Sequence, residues 1–341
     1  MEKSLKMDTQ LESSTYLPKG ELIIAKKRGE EYEHISENYS LCYKFSITSI
    51  EPYQVIDVYI DAINGIYYTS QLPLLEDHNS TGTIWTWYNG FRNDIVTRTC
   101  GLCANFWLTE TGGRQIDTRE YNSTDKIKDN NNNWVENDTK TAASAHWSIQ
   151  RAFDYFLNRH GRWGTDYNGM KIKINTKTDL NGSNAAYNFN NSIDNIYVRP
   201  DNTAVSQGAS GYSAAMLDVM AHEYTHGMIR ASSNLGATGA FDARSLNEAF
   251  ADIFGLMVER NVNGTNDWTF AENMGTYQRN FIDPHQDFGM GGTNSAGSSA
   301  STFNEPGFWS TSNEHANGGI MRRWFNLLSD GGLLEVRQLA V

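Results

Sequence analysis

The chain has 341 residues, 39% of them hydrophobic and 20% charged, and carries a formal net charge of −12. This is a globular rather than a disordered composition, and the length accommodates more than one core. The acidic balance argues against nucleic-acid binding, and no apolar run approaches the length of a membrane span.

The first twenty residues lack the apolar core of a signal peptide. From residue 20 to residue 72 apolar and polar positions alternate; Tyr43–Ile50 and Gln54–Asp61 have period two and predict strands. Asn64-Gly65 predicts a type I′ hairpin turn, with Ile66-Tyr67-Tyr68 continuing beyond it. Thr83–Tyr88 is an aromatic-rich strand candidate. Cys100 and Cys103 form a single C-x-x-C. With no second pair a zinc ribbon is excluded, and the flanking residues read as strand and turn rather than the helix start a redox motif needs. A small local disulfide is the preferred reading, with Cys42 a buried or incidental thiol. The Asn- and Asp-rich stretch 122–140 reads as a solvated loop. A helix is predicted over 143–160, strands near 171–174 and 195–198, helices over 213–230 and 245–261, and a last helix from Gly319. No internal repeat is visible.

His222-Glu223-Tyr224-Thr225-His226 decides the chemistry. Histidines four apart on a helix share one face, so their imidazoles can take two corners of a tetrahedral zinc site. The glutamate between them stands near the metal and serves as general base, which is the H-E-x-x-H logic of zinc hydrolases. A third ligand is still required. Downstream, Leu246, Ala249, Phe250, Ile253 and Met257 have helical spacing, which places Glu248 and Asp252 on one face. Glu248 fits as third ligand. Asp252 fits as the carboxylate that accepts the free N–H of a zinc-bound histidine.

With these residues the chain resembles the thermolysin family of neutral metalloendopeptidases. The likeness extends to Asn247–Gly255, to Ala145–Gly161, to Asn184-Ala185-Ala186-Tyr187, to Arg279–Pro284 and to His315–Ile320, running in order from about residue 80 to about 332. It implies an α+β, two-lobed metalloprotease fold: a β-rich N-terminal lobe, central zinc helices and an α-helical C-terminal lobe. The domains expected are a propeptide remnant over 1–75, an N-terminal catalytic lobe over 76–230 and a truncated C-terminal lobe over 231–341. An unrelated N-terminal β-subdomain is the alternative for the first of these.

The resemblance implies one catalytic Zn2+ on His222, His226 and Glu248, with Glu223 as base and His315 as oxyanion donor. It implies one structural Ca2+ on Asp218, Glu259, Asp267 and Glu272, where the alternative is four scattered surface acids; Thr269 puts a second ion in doubt. Asn184, Ala185 and Arg279 would bind substrate, and the partners expected are protein or peptide substrates and the chain's own propeptide as intramolecular inhibitor. Secretion as a latent proenzyme follows from the same likeness.

Four positions depart from the family pattern. Ser310 stands where an aspartate usually supports the catalytic histidine, with Glu314 as a substitute candidate. No tyrosine lies between Arg230 and Leu246, and that linker is two residues longer than usual. Gln278 and Phe270 occupy positions that usually line the specificity pocket. Only 26 residues follow His315, so the chain is expected to be a fragment shortened at both ends. Two functions result: a zinc endopeptidase, or a non-catalytic metal-binding module of the same fold.

Overall fold

Alternating strands in the first quarter of the chain and helical periodicity around the histidines set the architecture. The computed structural model describes residues 20–26, 39–50, 53–65, 67–71, 78–99, 105–110, 113–177, 185–198, 214–236, 239–265, 267–272, 279–287 and 298–330. Its contacts divide the chain into two units, residues 1–78 with 99–104, and residues 79–98 with 105–341. Cys100, Cys103, Asn184 and Gln278 lie outside the described residues, and with them the expected disulfide and one substrate contact.

In the first unit β1 (Glu21–Lys26), β2 (Tyr39–Ile50), β3 (Tyr53–Asp61) and β4 (Tyr67–Gln71) form an antiparallel sheet in sequence order. Cys42 is buried on it. The expected type I′ turn is corrected. Of Asn64 and Gly65 only Gly65 has a positive φ, 70°, and type I′ needs two. Instead the Asp61 carboxylate accepts the N–H groups of Ile63 at 2.8 Å and Asn64 at 3.1 Å, building the longer turn from a side chain.

The strands of the second unit are β5 (His78–Trp85), β6 (Phe91–Thr99), β7 (Phe106–Trp107), β8 (Ile116–Glu120), β9 (Lys128–Asp129), β10 (Asn133–Trp134), β11 (Ile172–Thr176), β12 (Ala185–Asn190), β13 (Ile193–Val198), β14 (Thr269–Phe270) and β15 (Arg279–Asn280). They make sheets of order β10-β5-β6-β7-β9, β12-β13-β11-β8 and β14-β15. The helices are α1 (Asn137–His160), α2 (Leu217–Ser232), α3 (Phe241–Asn263), α4 (Glu314–Asn317) and α5 (Gly319–Ser329). The Asn-rich stretch is more ordered than its composition suggests. Asp129 accepts the N–H of Asn131 at 2.8 Å, and the fully buried Trp134 donates its indole N–H to Asn132 at 2.9 Å. Polar side chains here satisfy backbone and core partners rather than water, so β9, β10 and an early start of α1 replace a solvated loop.

The core lies between α1, α2 and the β8, β11 and β13 strands, where Ile116, Ile172, Ile174 and Ile196 are buried against Phe153 and Phe156. Phe156 stacks on Tyr224 of α2 with centroids 5.7 Å apart, which fixes the helix from behind the histidines. α2 and α3 meet closely because position 255 is glycine: a Cβ there would stand 2.6 Å from the carbonyl oxygen of Asp218. That close crossing is what brings Glu248 to the histidines. Among the described residues no helix is long and apolar enough to cross a membrane.

Candidate metal centre

One turn of α2 separates His222 from His226, and their Nε2 atoms are 3.0 Å apart. From α3, Glu248 places Oε2 3.3 Å from Nε2 of His222 and Oε1 3.7 Å from Nε2 of His226. Ligand atoms about 2.0–2.1 Å from a tetrahedral ion stand roughly 3.3 Å apart. The three separations, 3.0, 3.3 and 3.7 Å, bracket that edge, so these residues could hold a zinc ion.

Each imidazole is held from its other nitrogen. Nδ1 of His222 is 2.8 Å from Oδ1 of Asp252, and Nδ1 of His226 is 3.0 Å from Oδ1 of Asn247. With Nδ1 of each neutral ring turned to those oxygens, Nε2 would be the atom left to bind a metal. Without a metal the same surroundings favour a proton on the ring. Burial works to lower the proton affinity of His222, but Asp252 and Glu248 outweigh it and raise its pKa to about 10. Burial likewise opposes ionisation of Glu248, yet His226 and His315 hold it well below the carboxylate range. Asp252 is fully buried, and against that burial Arg279, His222 and Arg322 bring its pKa down to about 2. The cluster is built to hold a positive charge between carboxylates.

A cleft of about 650 Å³ opens on these residues. Glu223, His315 and the strand residue Ala185 line it together with His222, His226 and Glu248. β12 is an edge strand, so one side of its backbone is open to this cleft among the described residues.

Models of two domains match the chain: "Thermolysin metallopeptidase, catalytic domain" over residues 84–230, and "Thermolysin metallopeptidase, alpha-helical domain" over residues 240–340. The chain belongs to the thermolysin metallopeptidase family. Among curated relatives, Bacillolysin of Bacillus amyloliquefaciens is 28% identical over 243 residues, covering 69% of this chain and 44% of that protein. Neutral protease B of Bacillus subtilis (strain 168) is 28% identical over 274 residues, 76% and 46% of the two chains. The chain thus spans less than half the length of these relatives. The structure of the precursor of protealysin from Serratia proteamaculans aligns with a TM-score of 0.46 at 19% identity, covering 65% of this chain and 71% of the other.

Within this thermolysin-family fold the remaining expected residues fall as follows. His315 sits in α4, its backbone N–H capped by Asn313 at 3.0 Å, with Nδ1 2.9 Å from Oε2 of Glu248. Ser310 does not support the imidazole: it is buried and accepts the N–H groups of Ser312 and Asn313, shaping the turn instead. Glu314 is aimed at Arg244, 3.9 Å away. Arg279 is largely buried, donating to Asp252 at 2.8 Å and reaching Nδ1 of the cleft residue His315 at 3.4 Å, with its guanidinium 4.8 Å from the Phe270 ring centroid.

A second cluster joins Asp218, Glu259 and Glu272, each with an oxygen within 4.8 Å of the others. Asp218 is buried and accepts the N–H groups of Val219 at 2.8 Å and Ala271 at 2.6 Å. Burial, then Asp218, Glu272 and Asp267, raise the pKa of Glu259 to about 9; burial and Asp218 raise that of Glu272 to about 7. Crowded carboxylates of this kind are a hard-oxygen set that a divalent cation relieves. Asp267 shares a cavity of about 150 Å³ with Glu259 and Glu272, but its carboxylate is not one of the three that converge; it accepts the N–H of Thr269 at 3.0 Å.

Several residues escape the sequence pattern. Asn247 precedes a ligand and signals nothing by type. Arg322 is fully buried seventy residues beyond Asp252, to which it donates at 2.9 Å. Tyr187 and Arg230 line the cleft, and only the i+4 step from His226 to Arg230 hints at the latter.

Proposed function

We propose that this chain is a zinc-dependent metalloendopeptidase that hydrolyses internal bonds of protein or peptide substrates. The observation that carries this reading is the convergence of His222, His226 and Glu248 at tetrahedral spacing inside a cleft that also holds Glu223. A zinc ion held by those three residues supplies Lewis acidity, which polarises a carbonyl and brings the pKa of a bound water toward ~7.

The chain's own groups do the rest. An extended peptide adds to the open edge of β12 through main-chain hydrogen bonds beginning at Ala185, with Asn184 beside it. Glu223 takes a proton from the attacking water and passes it to the departing amine. His315 has Nδ1 turned to Glu248 and Arg279, so Nε2 is the ring atom that donates to the oxyanion. One such donor is worth about 3 kcal/mol. Arg279 holds Asp252 and through it His222.

Asp218, Glu259 and Glu272, with Asp267 beside them, would hold a Ca2+ ion that ties α2, α3 and the following loop together. Residues 1–75 are read as a prosegment remnant, 76–230 as the catalytic lobe and 231–341 as the helical lobe, and the whole as a secreted, latent proenzyme. β1 to β4 pair with one another in one open sheet within one compact unit, which supports a separable prosegment.

The test is metal content with turnover. The full chain is expected to bind one zinc and, once limited trypsin treatment has cleaved off the prosegment, to degrade casein; chelator abolishes both. Glu223→Gln is expected to keep zinc and lose roughly two to four powers of ten in rate. Equal rates for the two proteins would remove the proposal, and zinc retained by an inert wild type would identify a non-catalytic metal-binding module.

A further inference from the structure

One turn beyond His226 on α2, Arg230 reaches the same cleft at the end lined by Tyr187 and Phe189 of β12. Its guanidinium is fixed on three sides. The carbon at its centre lies 3.8 Å from the Phe189 ring centroid, so the planar group stacks on that ring. Nε donates to the Tyr187 hydroxyl at 2.8 Å. Nη2 donates to Oδ1 of Asp194 at 3.3 Å and meets the sulfur of Met170 at 3.4 Å. Asp194 is itself locked: it is buried on β13 and accepts the hydroxyls of Tyr187, at 2.6 Å, and Thr165.

Nη1 is different. Its two N–H groups make no hydrogen bond among the described residues, and the Arg230 side chain keeps 24% of its surface open. A guanidinium presents five donors in a rigid fork. Here one edge is consumed by the protein and the other is held out, with little rotamer freedom left to lose on binding. Among the described residues the other ionisable side chains of the lining are Glu223, Glu248, the histidines and Tyr187, and Arg230 is its one permanent cation.

We infer that Arg230 is a specificity-determining residue whose free Nη1 edge binds the carboxylate of an Asp or Glu side chain presented by the substrate at the Phe189 end of the cleft. The substrate class is then peptides with an acidic residue at one defined position near the scissile bond. This rests on the endopeptidase reading above. The geometry explains why the preference is confined to one position. A chain of net charge −12 disfavours acidic peptides in general, and the pre-set donor edge of Arg230 offsets that locally.

The test uses the zinc-loaded full chain after the same prosegment cleavage and internally quenched peptides that differ only by Gln or Glu at one position, scanned from three residues before to three after a single cleaved bond. At one position Glu is expected to raise kcat/KM roughly tenfold over Gln, mostly through KM, the size of one charge-assisted hydrogen bond. Sodium chloride at high concentration should shrink the gain, and Lys at that position should be worse than Gln. Arg230→Gln should bring the Glu:Gln ratio at that position to about one, and Arg230→Lys should restore it only in part, since Lys cannot stack and fork.

Because Arg230→Gln also strips Asp194 of a partner, the same peptides are to be titrated onto Glu223→Gln by fluorescence anisotropy, where the Glu-over-Gln ratio in Kd needs no change at Arg230. A ratio near one at every position in wild type, or a preference that survives in Arg230→Gln, overturns the inference. If wild type cleaves none of the peptides, the endopeptidase reading falls, and the anisotropy ratio alone decides the acidic-residue preference.

Discussion

The guanidinium of Arg322 and the carboxylate of Asp252 are both fully buried and meet at 2.9 Å, Nη1 to Oδ2, while the other oxygen of Asp252 faces His222 at 2.8 Å. Arg322 thereby stands directly behind the oriented histidine. It also donates to Asp287 at 2.5 Å, to Ser299 at 3.1 Å and to the carbonyl oxygen of His315 at 3.3 Å. One side chain from α5 thus joins α3, the His315 turn and the segments at 284–287 and 298–300.

Removing one partner of such a network leaves buried charges without compensation, which costs more than the pair contributes. Arg322→Met is expected to destabilise the chain by about 3–5 kcal/mol. The measurement is the midpoint of guanidinium chloride unfolding with zinc and calcium held constant. A loss under 1 kcal/mol would mean that Asp252 and Asp287 are satisfied by Arg279 and backbone donors alone.

Asn247 supports the second histidine as Asp252 supports the first, through a 3.0 Å contact to Nδ1 of His226. Substitution of such partners typically weakens metal binding 10–100-fold. Asn247→Ala is expected to raise the zinc Kd by about that factor, read by competition with a chromophoric chelator, while far-UV circular dichroism stays as in wild type. An unchanged Kd would show that the ring is oriented by packing on Tyr187, whose centroid lies 6.1 Å away.

The helical spacing of His222, Glu223, His226, Glu248 and Asp252 made the centre legible before any coordinates, because i+4 registers place side chains without knowledge of the rest of the fold. The close crossing that unites the two helices was not legible: Gly255 matters because it faces the Asp218 carbonyl oxygen, a relation no periodicity encodes. Arg322 illustrates the same limit. An arginine on an amphipathic helix ordinarily reads as solvated, and only tertiary packing reveals two buried acids waiting for it. Asn132 and Asp129 misled in the opposite sense, since polar composition suggested solvent while the side chains bond Trp134 and the local backbone. Arg279, expected at the substrate, also donates to the buried Asp252, a contact that its type and position do not announce.

Acid stability should depend on His146, which is fully buried on α1. Its Nε2 is 3.0 Å from the Val96 carbonyl oxygen and its Nδ1 is 2.8 Å from the Thr118 hydroxyl. A carbonyl only accepts, so Nε2 carries the hydrogen and Nδ1 takes the hydroxyl's, which is the neutral ring. Burial lowers its pKa from 6.5 to about 4; Arg114 adds to the lowering, while the Val96 carbonyl and Asp117 oppose it, and Glu110 stands 3.9 Å away. The unfolded chain protonates this residue near 6.5 and the folded chain only near 4. Its stabilising contribution is therefore complete above pH 6.5 and is lost as pH falls from 6.5 to about 4, by roughly 3 kcal/mol in all. His146→Gln, compared with wild type by urea unfolding across that range with chelator present in both, should show a shallower decline. Parallel declines would place the acid sensitivity elsewhere.

The Asp218, Glu259 and Glu272 cluster should make the opposite contribution. Glu259 has its pKa raised from 4.5 to about 9 by burial and by the neighbouring carboxylates Asp218, Glu272 and Asp267. The unfolded chain gives up this proton near 4.5 while the folded chain holds it, so without a cation the folded state loses stability as pH rises from 4.5 to about 9. Calcium competes with that proton and cancels the repulsion. The rise in Tm on adding calcium is therefore expected to be larger at pH 8 than at pH 5, and a concentration a hundred times Kd should add about 2.7 kcal/mol at the higher pH. Glu259→Gln should remove most of the gain while raising Tm at pH 8 without added calcium, because the cost of keeping Glu259 protonated in the folded state has gone. Differential scanning calorimetry at fixed zinc decides it: a calcium response of equal size at both pH values, or one that Glu259→Gln leaves intact, would place the cation at other oxygens than these.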